Sequence, residues 1–186
     1  MFLRMSQTTA EERSRLSEKA HSAVRGKRQT FEQKCYHAQC IERIGSSRIV
    51  PVEQLCIDLL VSGGISRDMI VPQKAIGPYN IDIAITKYRI AVEIFGGGWH
   101  SAGRHAERFT ERFKYIRDSG WIPVIIWVDG RQNFLTKGAI DYIVTLIKKI
   151  SSGESIGSEE HMIRGNGNPS VLGKRKLYDR TAIERS

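Results

Sequence analysis

The sequence predicts an α/β fold in which a mixed central sheet is flanked by helices. Two apolar stretches, residues 81–87 and 89–96, predict strands joined by a tight turn near Lys87 and Tyr88. A third apolar strand, "WIPVIIWV" (121–128), follows a segment with helical periodicity. With the flanking helical segments the order is α-β-β-α-β-α, which is typical of a mixed sheet with helices on both faces.

Three amphipathic segments supply the predicted helices of this core. The first, "VPVEQLCIDLLV" (50–61), should begin after Pro51. The second, "GRHAERFTERFKYIRDSG" (103–120), has a core stripe of Ala106, Phe109, Phe113 and Ile116. The third, "TKGAIDYIVTLIKKI" (136–150), has Ile140, Ile143, Ile147 and Ile150 on one side. Apolar residues at this spacing form the buried stripe of a helix.

Residues 1–48 lack a hydrophobic core pattern and predict a basic helical arm. One helix is opened by Thr8 or Thr9 with a glutamate three residues on, and Gly26 ends it. A second helix begins after Thr30 and stops at Gly45. The hinge between them is basic, and we expect DNA phosphate contacts from Arg25, Lys27, Arg28 and Lys34. The alternative is a solvated helical extension.

The charge of the chain favours a polyanionic partner. The 186 residues carry a net charge of +9, which points to nucleic acid first and a membrane surface second. Residues 1–48 hold 10 Lys and Arg against 5 Glu, whereas residues 49–150 hold 13 against 10 acids. We therefore predict three parts: a DNA-binding arm (1–48), a core domain (49–150) and a flexible basic tail (151–186), with DNA contacts from Lys174, Arg175 and Lys176.

Other features of the composition bear on the cellular location of the protein. No stretch approaches the roughly 18 apolar residues of a membrane span, and the first residues do not resemble a signal peptide. Three cysteines in no framework spacing agree with a reducing compartment. We expect a cytoplasmic protein that does not bind membranes.

Two acids interrupt the apolar strands. Asp82 starts the first strand and Glu93 comes late in the second, so a hairpin would place them side by side at one end of the sheet. A carboxylate in an apolar strand costs several kcal/mol if left unpaired. A divalent cation removes that cost, and Mg²⁺ prefers carboxylate oxygens and water. The alternative is a strand-end acid that faces solvent.

Glycines and an imidazole follow Glu93. Three glycines at 96–98 allow the backbone to approach a ligand such as a phosphate closely, although they also suit a mobile turn. His100 follows, and an imidazole can transfer protons near pH 7. A single histidine is more often structural, and Trp99 can equally be core packing.

The stretch "IDIAITKYRIAVEIFGGGWH" (81–100) resembles the core of the PD-(D/E)xK nucleases, in the branch of the very-short-patch-repair endonuclease. Asp82 and His100 have that branch's spacing of eighteen residues, and Trp99 matches its aromatic. Glu53 matches an acid on an upstream helix. The later "RDSGWIPVIIWV" is similar to the family's helix–Gly-Trp–strand closure. The resemblance implies a restriction-endonuclease-like core over about residues 50–130 and is closest to the phage EDxHD homing endonucleases.

The chain departs from this family at two positions. Phe95 stands where the family has the lysine of its ExK motif, and Phe109 stands where it has a final Asp. On the helix of Phe109, one polar side carries His105, Arg108 and Arg112, which would supply a proton carrier and phosphate contacts instead. The alternative for these three is solvent-facing charge.

A zinc site is a weaker interpretation of the sequence. Cys35, His37 and Cys40 have ligand character, but no fourth ligand stands out and Cys56 lies on a core-facing helix.

Taken together, the paired acids, the basic charge and the resemblance predict a Mg²⁺-dependent endonuclease acting on double-stranded DNA, of the phage homing type and without a small-molecule cofactor. The alternatives are a very-short-patch-type repair nicking enzyme and a catalytically impaired nuclease-like DNA-binding module. Gly98 before Trp99 counts against mismatch repair, because an aromatic pair forms the wedge there in the repair enzyme.

Overall fold

The structure, a computed structural model, describes residues 9–45, 49–96, 104–129, 134–156 and 161–170, without the side chains of residues 23, 24 and 104–108. The predicted α/β class, with a mixed sheet flanked by helices, is confirmed. None of the helices in these ranges is long and apolar enough to span a membrane.

Five helices and five strands form the described part of the chain. The helices are α1 (Ala10–Val24), α2 (Phe31–Arg43), α3 (Pro51–Ser62), α4 (Arg104–Asp118) and α5 (Lys137–Ser151). The strands are β1 (Ile70–Ile76), β2 (Tyr79–Ile85), β3 (Ile90–Gly96), β4 (Ile122–Val128) and β5 (His161–Arg164). The predicted caps are confirmed: Thr9 pairs with Glu12 in a capping box, and Thr30 pairs with Gln33.

The sheet has the order β1-β2-β3-β4-β5. β2 pairs antiparallel with both β1 and β3, and the β2–β3 turn is a short 3-10 segment at Thr86–Tyr88 followed by Arg89 in the left-handed conformation. β3, β4 and β5 are parallel neighbours. A parallel pair needs a long crossover, which α4 supplies between β3 and β4.

The two faces of the sheet bury separate apolar clusters. α3 and α5 pack on one face, against alternate strand residues such as Ile90, Val92 and Val124. α4 packs on the other face, where Phe113 meets Ala91 and Phe95. Of the predicted helical stripes, Phe109, Phe113, Ile116, Ile140, Ile143 and Ile147 are buried. Because helices cover both faces of the sheet, side chains of the strands can reach a ligand only at the strand ends or where two strands separate.

Helix α2, which lies in the predicted arm (1–48), packs against the sheet. It covers the edge strand β1: the Glu42 carboxylate binds Lys74 Nζ at 2.6 Å and accepts the backbone N–H of Ala75 at 3.0 Å. Asn80 Nδ2 donates to the Ala38 carbonyl at 2.8 Å, and Ala38 is buried. An uncovered edge strand exposes unpaired backbone groups, so α2 completes the sheet, whereas every described side chain of α1 is exposed.

Two strands were missed by the sequence analysis. β1 contains Pro72, which argues against a strand in a sheet interior but is tolerated at an edge. β5 lies in the segment predicted as a flexible tail, and this prediction is wrong for residues 161–170. That segment pairs with β4, and the backbone of Gly165 bonds to both Trp127 and Thr136.

We predict that Gly165→Ala destabilises the fold. A Cβ at this position would lie well inside van der Waals contact with the backbone oxygen of Phe134, which cannot move without shifting the start of α5. Such overpacking costs about 1–3 kcal/mol, measurable as a lower free energy of unfolding in urea.

Gly96→Ala is the matched control, because a Cβ at Gly96 meets no atom within 4 Å. Equal stabilities of the two variants would contradict the packed position of residues 161–170.

Candidate metal centre between two diverging strands

Asp82 fills a gap between β2 and β3. The paired register of these strands ends at Ile83 and Val92. Beyond that pair, Asp82 Oδ2 accepts the backbone N–H of Ile94 at 2.9 Å, in place of a partner from the opposite strand. Asp82 is the fourth residue of β2 rather than its first, which corrects the prediction that it starts the strand. The carboxyl is therefore held by the backbone and only partly exposed.

The regular alternation of β2 breaks at this residue. Ile81 packs in the cluster under α4, whereas Ile83 packs in the cluster under α3 and α5. Residues two apart in a regular strand share one face, so the strand changes its facing at Asp82. Opposite Asp82 in the register, Gln73 of β1 has φ 51°, a conformation that costs a non-glycine residue energy and clusters at functional sites.

Glu53 of α3 contacts strand β1 and is coupled to Asp82 by charge. It occupies the third position of the helix, where its Oε2 accepts the N–H of Val50 at 3.3 Å and contacts Gln73 Nε2 at 3.4 Å. Only 8% of Glu53 is exposed. Because α3 begins at Pro51, Glu53 lies in its first turn, and its buried carboxyl points toward Gln73 of β1.

Glu93 forms the third side of the cluster. It lies on the α4 face of β3 and is 2% exposed. Its Oε1 forms an ion pair with the guanidinium of Arg112, and the same Arg112 nitrogen also donates to the backbone oxygen of Asn80. Arg112 stands over the Tyr79 ring, 5.7 Å from its centroid. The interpretation of Arg112 as a solvent-facing charge is therefore excluded.

The three carboxyls perturb one another. Burial and then the charge of Asp82 raise the pKa of Glu93 to about 8, despite the nearby Arg112. Burial also raises the pKa of Asp82, against the Ile94 amide, Arg112 and a hydrogen bond with Glu93. Burial and then Asp82 raise the pKa of Glu53. The raised pKa values show that full ionisation of the three acids is unfavourable when Arg112 is their one cation in the described residues.

A buried thiol is subject to the same electrostatic effect. Burial, and then the charges of Asp82 and Glu53, raise the pKa of Cys56 to about 12. Cys56 therefore stays neutral and is a packing residue of α3.

The donor set suits Mg²⁺ through two carboxylates. Mg²⁺ usually binds one or two protein carboxylates and keeps several waters for the remaining positions. Asp82 and Glu93 are coupled by charge and provide hard oxygen ligands. In the described residues, however, no group of three or more His, Cys, Asp and Glu side chains is arranged to hold a metal ion, and this includes Cys35, His37 and Cys40.

The remaining predicted site residues divide into two groups. Arg25, Lys27, Arg28 and Lys34 are exposed on the hinge and on α2. The others lie outside the described residues or have side chains outside them: Trp99, His100, His105, Arg108, Lys174, Arg175 and Lys176. The structure thus brings Glu53, Asp82, Glu93 and Arg112 together.

Phe95 and Phe109, which stand at the family's lysine and Asp positions, both serve the core. Their rings lie 4.7 Å apart, and both belong to the cluster under α4. Neither position supplies a polar group to the carboxyl cluster, and among the described side chains the cation paired with it is Arg112 of α4.

An aromatic contact series links α2 to the carboxyl cluster. Phe31 contacts Tyr115 at 6.1 Å between ring centroids, and Tyr115 contacts Tyr79 at 5.6 Å. Tyr79 in turn lies under Arg112. The sequence analysis missed Tyr79 and the polar neighbours Gln73 and Asn80, since nothing in their local pattern distinguishes them from other strand residues.

No protein-family model matches the sequence, and comparisons with curated proteins and with solved structures give no significant match. The chemical assignment of the site therefore depends on the residues themselves.

We predict that Glu93→Gln makes the protein relatively more stable as the pH rises. With a folded pKa of about 8 against an ordinary 4.5, Glu93 in the folded protein keeps a proton that the unfolded chain has lost. Wild-type stability therefore falls as the pH rises from about 4.5 to 8. The glutamine variant still accepts the Arg112 hydrogen bond but has no proton to lose.

The measurement is urea unfolding of both proteins, without divalent cations, at intervals between pH 4.5 and 8. The free energy of unfolding of the variant minus that of wild type should grow steadily over this range. A constant difference would contradict the raised pKa. Glu111→Gln, an exposed acid on α4, is the control for removing one acid.

Proposed function

We propose that this chain is a Mg²⁺-dependent endonuclease that hydrolyses phosphodiester bonds in double-stranded DNA. The observation that carries the proposal is the placement of Asp82 at the gap between β2 and β3 and of Glu93 on Arg112, with Glu53 coupled to both acids by charge from α3. Three buried acids beside one arginine would be stabilised in their ionised form by a further cation. A positive surplus in residues 1–48 suits a polyanionic substrate.

Asp82 and Glu93 would hold the cation, since they are coupled by charge and carry the oxygen ligands it prefers. When bound, Mg²⁺ supplies charge stabilisation at a phosphoryl oxygen and a more acidic water. Glu53 would orient the attacking water or help to hold a second cation, because its carboxyl is coupled by charge to Asp82. Backbone bonds fix the position of Asp82, and this rigidity keeps the ligands in place during the reaction.

The proton carriers in this proposal come from the resemblance to PD-(D/E)xK nucleases. His100 would transfer a proton at the scissile phosphate and His105 would assist it, with Trp99 against the DNA. Arg108 would contact a phosphate from α4.

The DNA grip would come from the hinge between α1 and α2. Arg25, Lys27 and Arg28 lie within four residues and are exposed, a spacing that follows neighbouring phosphates. Three residues on, Phe31 contacts α4. The anchored start of α2 would hold the hinge near the carboxyl cluster, and Lys34 and the segment with Lys174, Arg175 and Lys176 would add further contacts.

Within this chemistry, a homing-type enzyme that cuts matched DNA is the preferred form, and a repair nicking enzyme is the other. A second function, DNA binding without cleavage, is favoured by two observations. The ion pair with Arg112 already occupies Glu93, and the family's lysine position holds the buried Phe95. Assays on matched and mismatched duplexes, with and without Mg²⁺, separate the three functions.

We predict that Asp82→Asn lowers the rate of DNA cleavage by about 10²–10⁴-fold and leaves DNA affinity nearly unchanged. The substitution removes a charged ligand, and bound cations contribute several kcal/mol of transition-state stabilisation, at about 1.4 kcal/mol per factor of ten in rate. Cleavage is measured on supercoiled and linear duplexes with Mg²⁺.

Asp58→Asn, an exposed acid on α3, is the matched control and should keep wild-type rates. Cleavage that survives removal of divalent cations would exclude the proposed chemistry. Wild-type protein that binds but never cuts DNA with Mg²⁺ present would favour the binding module.

We predict that replacing Arg25, Lys27 and Arg28 together by glutamine weakens DNA binding and flattens its salt dependence. Each neutralised phosphate contributes about −0.9 to the slope of log affinity against log salt, so the slope should flatten by nearly 3. Substitution is a cleaner test than deletion, because removing α2 would uncover β1.

The control is a triple glutamine variant of Lys137, Lys148 and Lys149 on α5, across the sheet from α4. Parallel salt titrations for wild type and the hinge variant would show that the hinge does not touch DNA. In that case, the interpretation of α1 and the hinge as a solvated extension would be correct.

A further inference from the structure

We infer that Arg112 is a resident counter-ion that occupies Glu93 in the metal-free protein and that a divalent cation must displace before Glu93 can bind it. This inference rests on the proposed function and adds a regulatory step to the same site. It assigns Arg112 two positions: one on Glu93 when the cation is absent, and one away from it when the cation is bound.

The ion pair uses an oxygen that a cation would need. Arg112 binds Glu93 Oε1, while the charge of Asp82 acts on the same carboxyl. A cation bridging Asp82 and Glu93 would stand beside the guanidinium, and two positive groups on one buried carboxyl repel each other. Occupation of Glu93 by one therefore weakens binding of the other.

The guanidinium of Arg112 does not use all of its hydrogen-bond donors. One terminal nitrogen makes both polar contacts, to Glu93 and to the Asn80 carbonyl. In the described part of the chain, Nε of Arg112 is buried without a hydrogen-bond acceptor. The strong form of an arginine–carboxylate pair is bidentate, and a buried donor without a partner costs free energy. Both features lower the cost of moving Arg112 away.

Charge balance gives the exchange a direction. A guanidinium contributes one positive charge to the three carboxyls, whereas a divalent cation contributes two. After displacement, Arg112 remains at the edge of the cluster, since 23% of its side chain is already exposed. A freed guanidinium there is suited to a phosphate oxygen, which it binds with the same planar geometry. Cation binding would thereby make an anion-binding group available beside the site.

The alternative is that Arg112 is a fixed support that orients Glu93 for the cation. The two roles predict opposite effects of removing the guanidinium. A competitor lowers cation affinity, so its removal raises that affinity. A support raises cation affinity, so its removal lowers it.

The experiment is calorimetric titration of Mg²⁺ and Mn²⁺ into wild type, Arg112→Gln and Asp82→Asn, without DNA. Arg112→Gln should bind the cation about 5- to 100-fold more tightly, the range of ordinary coupling between two ligands. Asp82→Asn should lose binding. Lys114→Gln, which removes an exposed charge two residues along α4, is the control and should bind like wild type.

The outcomes separate this inference from the proposed function. If wild type and Arg112→Gln bind with equal affinity, or the variant binds more weakly, the inference is overturned and the metal site stands. If neither protein binds a cation and Asp82→Asn behaves alike, both the inference and the metal-dependent function fail. Tighter binding by Arg112→Gln alone supports both.

A second measurement keeps the test decisive if Arg112→Gln does not fold. In wild type labelled with ¹⁵N-arginine, the Nε–Hε signal of Arg112 is assigned by its loss in Arg112→Lys. That signal should shift with Mg²⁺ along the same saturation curve as calorimetric binding. A signal that stays unchanged at saturating Mg²⁺ would show that Arg112 does not move and would overturn the inference.

Discussion

The Asp82 carboxyl accepts the amide of Ile94 at the point where β2 and β3 separate, and the arrangement around it follows from this hydrogen bond. A buried amide without an acceptor is costly, so the carboxyl takes the place of a strand. Tied to the backbone in this way, it cannot turn to solvent. In the described part of the chain, Arg112 offsets its charge, whereas Glu53 and Glu93 add acids to the same site.

This constraint divides the molecule into regions of opposite charge. The acids gather in the gap of the sheet, while the described basic residues of the hinge are exposed. Helix α2 joins the two regions, because Glu42 covers the edge strand and Phe31 reaches the aromatic residues beneath Arg112. In the proposed function, the acids would hold the cation and the exposed basic hinge would bind the polyanion.

The elements that could be predicted from the sequence are those whose pattern lies within one segment. The β2–β3 hairpin, the start of α3 at Pro51 and the stripe of α4 follow from patterns within one segment. Strand β1 was not predicted because it contains Pro72. Strand β5 was not predicted because its four residues follow a Ser- and Gly-rich stretch that is typical of a flexible tail. Helical spacing placed Arg112 on a polar side, but only tertiary packing puts its guanidinium on Glu93. Asp82 and Glu93 were predicted as neighbours, yet their coupling through the strand gap depends on where the pairing ends.

The most direct test of the metal centre is anomalous diffraction from crystals of the protein soaked in Mn²⁺. The account predicts an anomalous peak within about 2.0–2.3 Å of a carboxylate oxygen of both Asp82 and Glu93, at ligand distances expected for a small divalent cation. It also predicts that the Arg112 guanidinium has left Glu93. A crystal with Mn²⁺ bound elsewhere and the Arg112–Glu93 ion pair intact would contradict the central claim.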